Sequence, residues 1–201
     1  MSAALLVRIG ACAAVLTFVA QAAHAHPSAM IAGARTSQPI GHYEFCQRFA
    51  DECSIRPADQ SMHPASLAFL SELDALTKAI NARVKPVSDK DQYGQEEYWT
   101  YPTDAGDCED YALEKQRILA RRGVSRANLL ITVVRRPTGD GHAVLTVRTD
   151  AGDFILDNLS DDVKPWDDTE YAYLKRQASA HSGKWVDIED GHNEPLVSSI
   201  R

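Results

Sequence analysis

The chain has 201 residues, room for one domain with its own core rather than two. Hydrophobic residues make up 44% and charged residues 24%, which excludes wholesale disorder and a fibrous repeat. Lys and Arg number 21 against 28 Asp and Glu, a formal charge of -7, which argues against nucleic acid as the partner.

Residues 1–25 differ in composition from the rest. Arg8 is their only charged side chain, and Ile9 to Ala20 is an apolar run of 12 residues, too short for a bilayer that needs about 20. Ala23-His24-Ala25 supplies the small-x-small pattern of a signal peptidase site, so residues 1–25 read as a signal peptide cleaved before His26. A lipoprotein reading of Cys12 fails because the apolar run follows that cysteine instead of preceding it. Cleavage removes Arg8 and no acid, leaving -8. The mature protein is expected to be periplasmic or secreted, with no membrane insertion.

Residues 26–41, with Pro27, Pro39 and small residues but no periodicity, read as a flexible lead-in. Cys46 and Cys53 follow with six residues between them. In an oxidising compartment that spacing can close a local disulfide loop. The competing arrangement is zinc on His42, Cys46 and Cys53, which lacks the usual second ligand pair.

From Pro64 to Val84, Leu67, Leu70, Leu73, Leu76 and Ile80 recur at three and four residues, predicting an amphipathic helix with Pro64 in its first turn. Residues 86–104 are polar with Tyr93, Tyr98, Trp99 and Tyr101 interleaved, a long loop suited to walling a cleft. A second helix starts at the N-cap Asp107 and stops at Gly123. Leu129 to Val134, His142 to Arg148 and Asp153 to Asp157 are short apolar or β-branched runs separated by turn residues, an antiparallel meander. A short helix over Thr169 to Gln177, a strand over Lys184 to Ile188 and a tail over 191–201 complete the chain.

Three residues carry candidate chemistry. Cys108 follows the helix N-cap, where free backbone N–H groups favour a thiolate. His142 opens a strand after a glycine-rich turn and could serve as the base, with Asp157 at the end of the next strand orienting the ring. If the turn is centred between Thr149 and Asp150, His142 and Asp157 are cross-strand partners. If it is centred on Ala151-Gly152, Asp157 pairs with Thr146 and His142 with Asp161. In either register the two share a face. Each residue alone has a plainer reading: a buried small thiol, a polar strand end and a turn aspartate.

Asp104, Asp107, Glu109 and Asp110 crowd the thiol, and their charge opposes a thiolate. Either His142 as imidazolium or a divalent cation would offset it, and calcium suits an all-oxygen set. A solvated acidic helix start is the alternative. Asp89-x-Asp91-x-Tyr93-Gly94 looks like the start of an EF-hand loop, but Thr100 stands where a bidentate Glu belongs, so an EF-hand is rejected.

The ordered blocks Gly106-Asp107-Cys108-Glu109-Asp110-Tyr111-Ala112, Gly141-His142-Ala143-Val144-Leu145, Ile155-Leu156-Asp157-Asn158-Leu159 and Pro165-Trp166 resemble the bacterial transglutaminase-like cysteine proteases, the LapG-type periplasmic proteases among them. The upstream Cys46 to Cys53 pattern is similar too. The resemblance covers residues 42–190 and implies an α+β, papain-like or transglutaminase-like fold, with the nucleophile helix packed on an antiparallel sheet. It implies a cysteine endopeptidase with Cys108 as nucleophile, His142 as base and Asp157 as orienting acid. It further implies calcium near Asp107 and Glu109, a large surface adhesin as protein substrate, cut near its N-terminus at a paired-alanine site, and an inner-membrane receptor that senses a cyclic dinucleotide. Alternatives are a transglutaminase or amidase on the same triad, a non-catalytic calcium-dependent binding module, and an exported structural protein with Cys108 buried.

Overall fold

The structure, a computed structural model, describes residues 28–189; the signal peptide (1–25) and the tail (191–201) lie outside the described residues. In chain order it runs β1 (Ile31–Thr36), α1 (Ile40–Arg48), α2 (Ala50–Cys53), α3 (Leu67–Arg83), β2 (Lys85–Pro86), α4 (Asp89–Tyr93), β3 (Ala105–Gly106), α5 (Cys108–Arg121), β4 (Leu129–Arg135), β5 (Gly141–Thr149), β6 (Gly152–Leu156), β7 (Lys164–Pro165), β8 (Ala172–Ala178) and β9 (His181–Glu189).

Seven strands form one sheet in the order β1-β9-β8-β4-β5-β6-β7, every neighbouring pair antiparallel. The expected meander is its β4-β5-β6 segment. Alternation along those strands divides the core between the two faces. Leu129, Ile131, Leu145, Val147 and Leu156 join Leu73, Leu76, Ile80, Leu113 and Leu119 of the helices, while Val134, Val144 and Ile155 join Met30, Trp166, Tyr173 and Ile188. Helix α5 lies on β4 and β5, and α3 lies on α5. This is the α+β arrangement expected, with the Cys108 helix on an antiparallel sheet. Each fully buried aliphatic side chain contributes about 1.5–3 kcal/mol.

The helix ends follow from capping. Ser66 Oγ accepts from Phe69 N at 3.1 Å, so α3 starts at Leu67 and Pro64 lies before it. Helix α5 ends where Gly123 takes a φ of +95°, a conformation that favours glycine.

Two expectations are corrected. The lead-in read over 26–41 is ordered from its first described residues. Asp153 N donates to Ser28 O, Asp153 Oδ2 accepts from Met30 N at 2.9 Å, and β1 pairs with β9. Long-range bonds to β6 and β9 hold it, and no local pattern announces them. The short helix read over Thr169 to Gln177 is strand β8 from Ala172. Its residues have helical propensity, but β4 and β9 offer it two hydrogen-bonding edges, and pairing overrides propensity. Gln177 completes the join, its Oε1 accepting from Gln116 Nε2 and Ile131 N and its Nε2 donating to Ser182 O.

Cys46 and Cys53 are joined in a disulfide that ties α1 to α2. Both sulfurs are thereby consumed, which removes zinc on His42, Cys46 and Cys53. His42 is instead packed among the rings of Phe45, Trp99 and Trp185, and accepts from Trp185 Nε1 at 3.2 Å. Burial first, then the nearby Arg126 charge, lower its pKa to about 3.

A folded-state pKa below the unfolded value of 6.5 means that unfolding takes up a proton as pH falls. Stability conferred by neutral His42 is complete above pH 6.5 and drains away toward pH 3. Urea unfolding at pH 7 and 5.5 should show wild type losing about 1.2 kcal/mol more than His42→Gln over that interval. Parallel losses in the two proteins would contradict this.

Candidate active site

Cys108 is the first residue of α5 and Asp107 occupies the N-cap position. The Asp107 side chain does not cap its own helix, contrary to the sequence expectation; its Oδ2 accepts from Asp89 N at 3.1 Å. Asp110, fully buried in the first turn, accepts from Thr100 N at 2.8 Å, and Asp89 Oδ2 accepts from Tyr98 N. Arg48 Nη2 donates to Trp99 O at 2.6 Å. The backbone of residues 98–100 is thus held by three side chains from three helices. It forms part of the wall expected of the 86–104 loop. At β3, a Cβ on Gly106 would stand 2.5 Å from Asp110 Oδ2, so this close approach requires glycine.

A cavity of about 370 Å³ opens at the start of α5. Pro39, Ile40, Trp99 and Val133 form its apolar wall, and Cys108, His142, Glu97 and Glu109 its polar one. Gly141 and Ala143, on either side of His142 in β5, line the same cavity as Cys108. Cys108 is the free cysteine among the described residues.

His142 Nε2 and Asp157 Oδ1 are 2.8 Å apart and both side chains are buried. The β5-β6 register pairs Leu145 with Leu156 and Thr149 with Gly152, so the turn is centred between Asp150 and Ala151. That register lies midway between the two considered from the sequence and is a correction to both. Parity survives, and His142 and Asp157 meet as diagonal neighbours on one face.

Asp157 is held at every oxygen. Oδ1 also accepts from Leu159 N at 3.0 Å, Oδ2 accepts from the Tyr171 hydroxyl at 2.5 Å, and the backbone carbonyl accepts from Lys115 Nζ at 2.9 Å and Asn81 Nδ2 at 3.0 Å. Burial alone would raise the carboxyl pKa. The bond and charge of His142, the Leu159 N–H and the Tyr171 hydroxyl outweigh it and hold the group below the usual range. Lys115, fully buried, is pushed down to about 8 by burial, against the attraction of Asp157 and Asp161.

Around the thiol the balance runs the other way. Burial raises the Cys108 pKa well above the ordinary value, and the charge of Glu109 adds to it, with Glu109 Oε2 3.1 Å from the sulfur. Burial and then the Asp107 charge push Glu109 up to about 10, and burial pushes Asp110 up to about 8. One carboxylate oxygen from each of Asp89, Asp107 and Glu109 lies within 4.8 Å of the others. These three could hold a cation. The sequence places Asp89 in a rejected EF-hand-like run and not with Asp107 and Glu109, because only the β2-β3 pairing brings α4 beside the start of α5. Asp104, grouped with these acids in the sequence, is exposed and lies outside that cluster.

The sequence profile of the bacterial transglutaminase-like cysteine proteinases (BTLCP) matches residues 32–193. The chain belongs to this family. It is a transglutaminase-like cysteine peptidase, with protein as its substrate. Among solved structures it is similar to calcium-bound LapG of Legionella pneumophila, with 18% identity and a TM-score of 0.50 over 81% of this chain and 87% of that one. EGTA-treated LapG of the same organism gives 19% identity and 0.50 over 77% and 84%. The likeness at these identities is one of fold. No curated protein matches the chain in sequence.

The buried ammonium of Lys115 ties this peptidase's α5 to the Asp157 carbonyl at a desolvation cost. Lys115→Met removes the charge, and Asn81 still satisfies the carbonyl. Unfolding at pH 7 should show this variant more stable by about 1–3 kcal/mol, with lower peptidase activity. A less stable variant would show that the Lys115 bond outweighs its burial.

Proposed function

We propose that the protein is an exported cysteine endopeptidase in which Cys108 is the nucleophile, His142 the general base and Asp157 the group that orients it. The observation that carries this reading is the buried His142–Asp157 bond beside a cavity that Cys108 also lines. Nε2 of His142 is committed to Asp157, so Nδ1 takes the thiol proton. The sulfur attacks the scissile carbonyl, and the Cys108 backbone N–H at the helix start donates to the developing oxyanion. His142 returns the proton to the leaving amine, and then activates the water that hydrolyses the thioester.

Calcium on Asp89, Asp107 and Glu109 is part of the reading. Asp89 Oδ1 and Asp107 Oδ1 are buried and accept no hydrogen bond, and an all-oxygen carboxylate set is the donor chemistry calcium prefers. The fold relatives include a calcium-bound LapG. When bound, the ion supplies positive charge against the carboxylates beside the thiol. Residues 1–25 support export, and among the described residues no helix is long and apolar enough to cross a membrane. The family resemblance supports a large surface adhesin as substrate and an inner-membrane receptor as regulator.

Incubation with surface proteins of the source organism should yield a discrete calcium-dependent cleavage, reduced at least about a thousandfold in Cys108→Ala. Undiminished cleavage by that variant would refute the assignment of Cys108. Calorimetry should show calcium binding weakened about tenfold or more in Asp89→Ala and in Asp107→Ala. Affinity equal to wild type in both would remove the ion from this site.

A further inference from the structure

We propose that Tyr171 is a positioning residue for the reaction, one side chain that fixes both partners of the His142–Asp157 bond. The proposal rests on the roles given above to Cys108, His142 and Asp157. The Tyr171 hydroxyl donates to Asp157 Oδ2, the oxygen that His142 does not use, at 2.5 Å. The Tyr171 ring packs edge-on against the His142 imidazole, with centroids 5.6 Å apart and an interplanar angle of 61°.

The two contacts act on different atoms. Oδ1 already accepts from His142 and Leu159 N. The Tyr171 hydroxyl holds Oδ2, so any turn of the carboxylate about its Cβ–Cγ bond must break bonds at both oxygens. The imidazole could likewise swing about its own side-chain torsions, and the Tyr171 ring stands against it.

Tyr171 enters the site from the start of β8. It precedes β8, whose Tyr173 pairs with Val134 of β4, and the other edge of Val134 pairs with His142. Tyr171 and His142 are therefore referenced to the same end of one central strand.

The surroundings assign a second part of the role. A cavity of about 290 Å³ reaches Asp157 and Tyr171, with Pro137, Ser160 and Glu170 in its wall, but does not reach His142 or Cys108. Tyr171 lines this cavity beside Asp157 and packs its ring on the imidazole, and the proposal gives that ring the further task of limiting water on the His142 side of the bond. Exclusion of water preserves the strength of that bond.

The test compares wild type, Tyr171→Phe and Tyr171→Ala for peptide cleavage, and for the proton resonance of His142 Nε2–H in the resting protein. Tyr171→Phe loses one oxygen and keeps the ring. Its kcat should fall about tenfold with KM within about twofold, because a hydrogen bond to a charged group is lost and no substrate contact is. The Nε2–H resonance should move downfield as Asp157 turns its unshared charge on His142. Tyr171→Ala should lose more activity, and its Nε2–H proton should exchange with solvent faster.

Wild-type kcat and an unshifted resonance in Tyr171→Phe would overturn the proposal, whatever Tyr171→Ala does or whether it folds. A purely structural tyrosine would lower the melting temperature and leave the kcat to KM split and the resonance unmoved. Retained cleavage in Cys108→Ala would overturn the underlying mechanism, and the catalytic role of Tyr171 with it. The resonance is read without any peptide bond being cut, so it separates the two failures.

Discussion

A buried hydrogen bond of 2.8 Å joins His142 to Asp157. It exists only because β5 and β6 pair in a register that brings the start of one strand diagonally opposite the end of the other. Sheet parity keeps both side chains on one face, and the exact offset decides whether they touch. The surrounding structure guards that offset. Asn81 and Lys115 hold the Asp157 carbonyl from α3 and α5, Leu159 N holds one carboxylate oxygen, and Tyr171 holds the other. Two helices and the approach to a distant strand thus converge on one aspartate. The buried ammonium of Lys115 is understandable as part of this convergence, since packing alone would favour an apolar side chain there.

The start of α5 presents the opposite problem. Glu109 and Asp110 are buried near the thiol although burial raises the pKa of each, and a buried carboxylate is costly unless something answers it. Part of the answer is visible. Asp110, Asp89 and Asp107 accept backbone N–H groups of Thr100, Tyr98 and Asp89, which makes the acids the anchor of the cleft wall. The rest is left to oxygens that accept nothing, Asp89 Oδ1, Asp107 Oδ1 and Asp110 Oδ2. A cation there would serve the wall and the thiol together, because within the cluster Asp89 holds Tyr98 N and Glu109 lies 3.1 Å from the sulfur.

Much of this was legible from residue types. Gly123 and the placement of Asp107 defined α5, and turn residues between apolar runs defined the β4-β5-β6 meander. Local chemistry controls those features. What depended on distant partners was not legible. β8 has helical propensity and becomes a strand because β4 and β9 flank it. The register was two residues out in both readings, because four turn residues, Thr149 to Gly152, admit several centres and only the folded hairpin chooses one. Asp89 lies in a run that looks like the start of an EF-hand loop, and its neighbours across the β2-β3 pair, Asp107 and Glu109, are invisible to local pattern. Tyr171 and Lys115 meet Asp157 from 14 and 42 residues away, distances over which sequence spacing carries no signal.

That Cys108 attacks a carbonyl with help from the His142–Asp157 pair is tested most directly by trapping. The folded protein, with calcium, is treated with a peptidyl chloromethyl ketone and its intact mass and modified residue are read by mass spectrometry. The structure predicts a single adduct, on Cys108, formed rapidly in wild type and at least about a hundredfold more slowly in His142→Ala. An adduct that forms at the same rate in His142→Ala, or that leaves Cys108 unmodified, would contradict it.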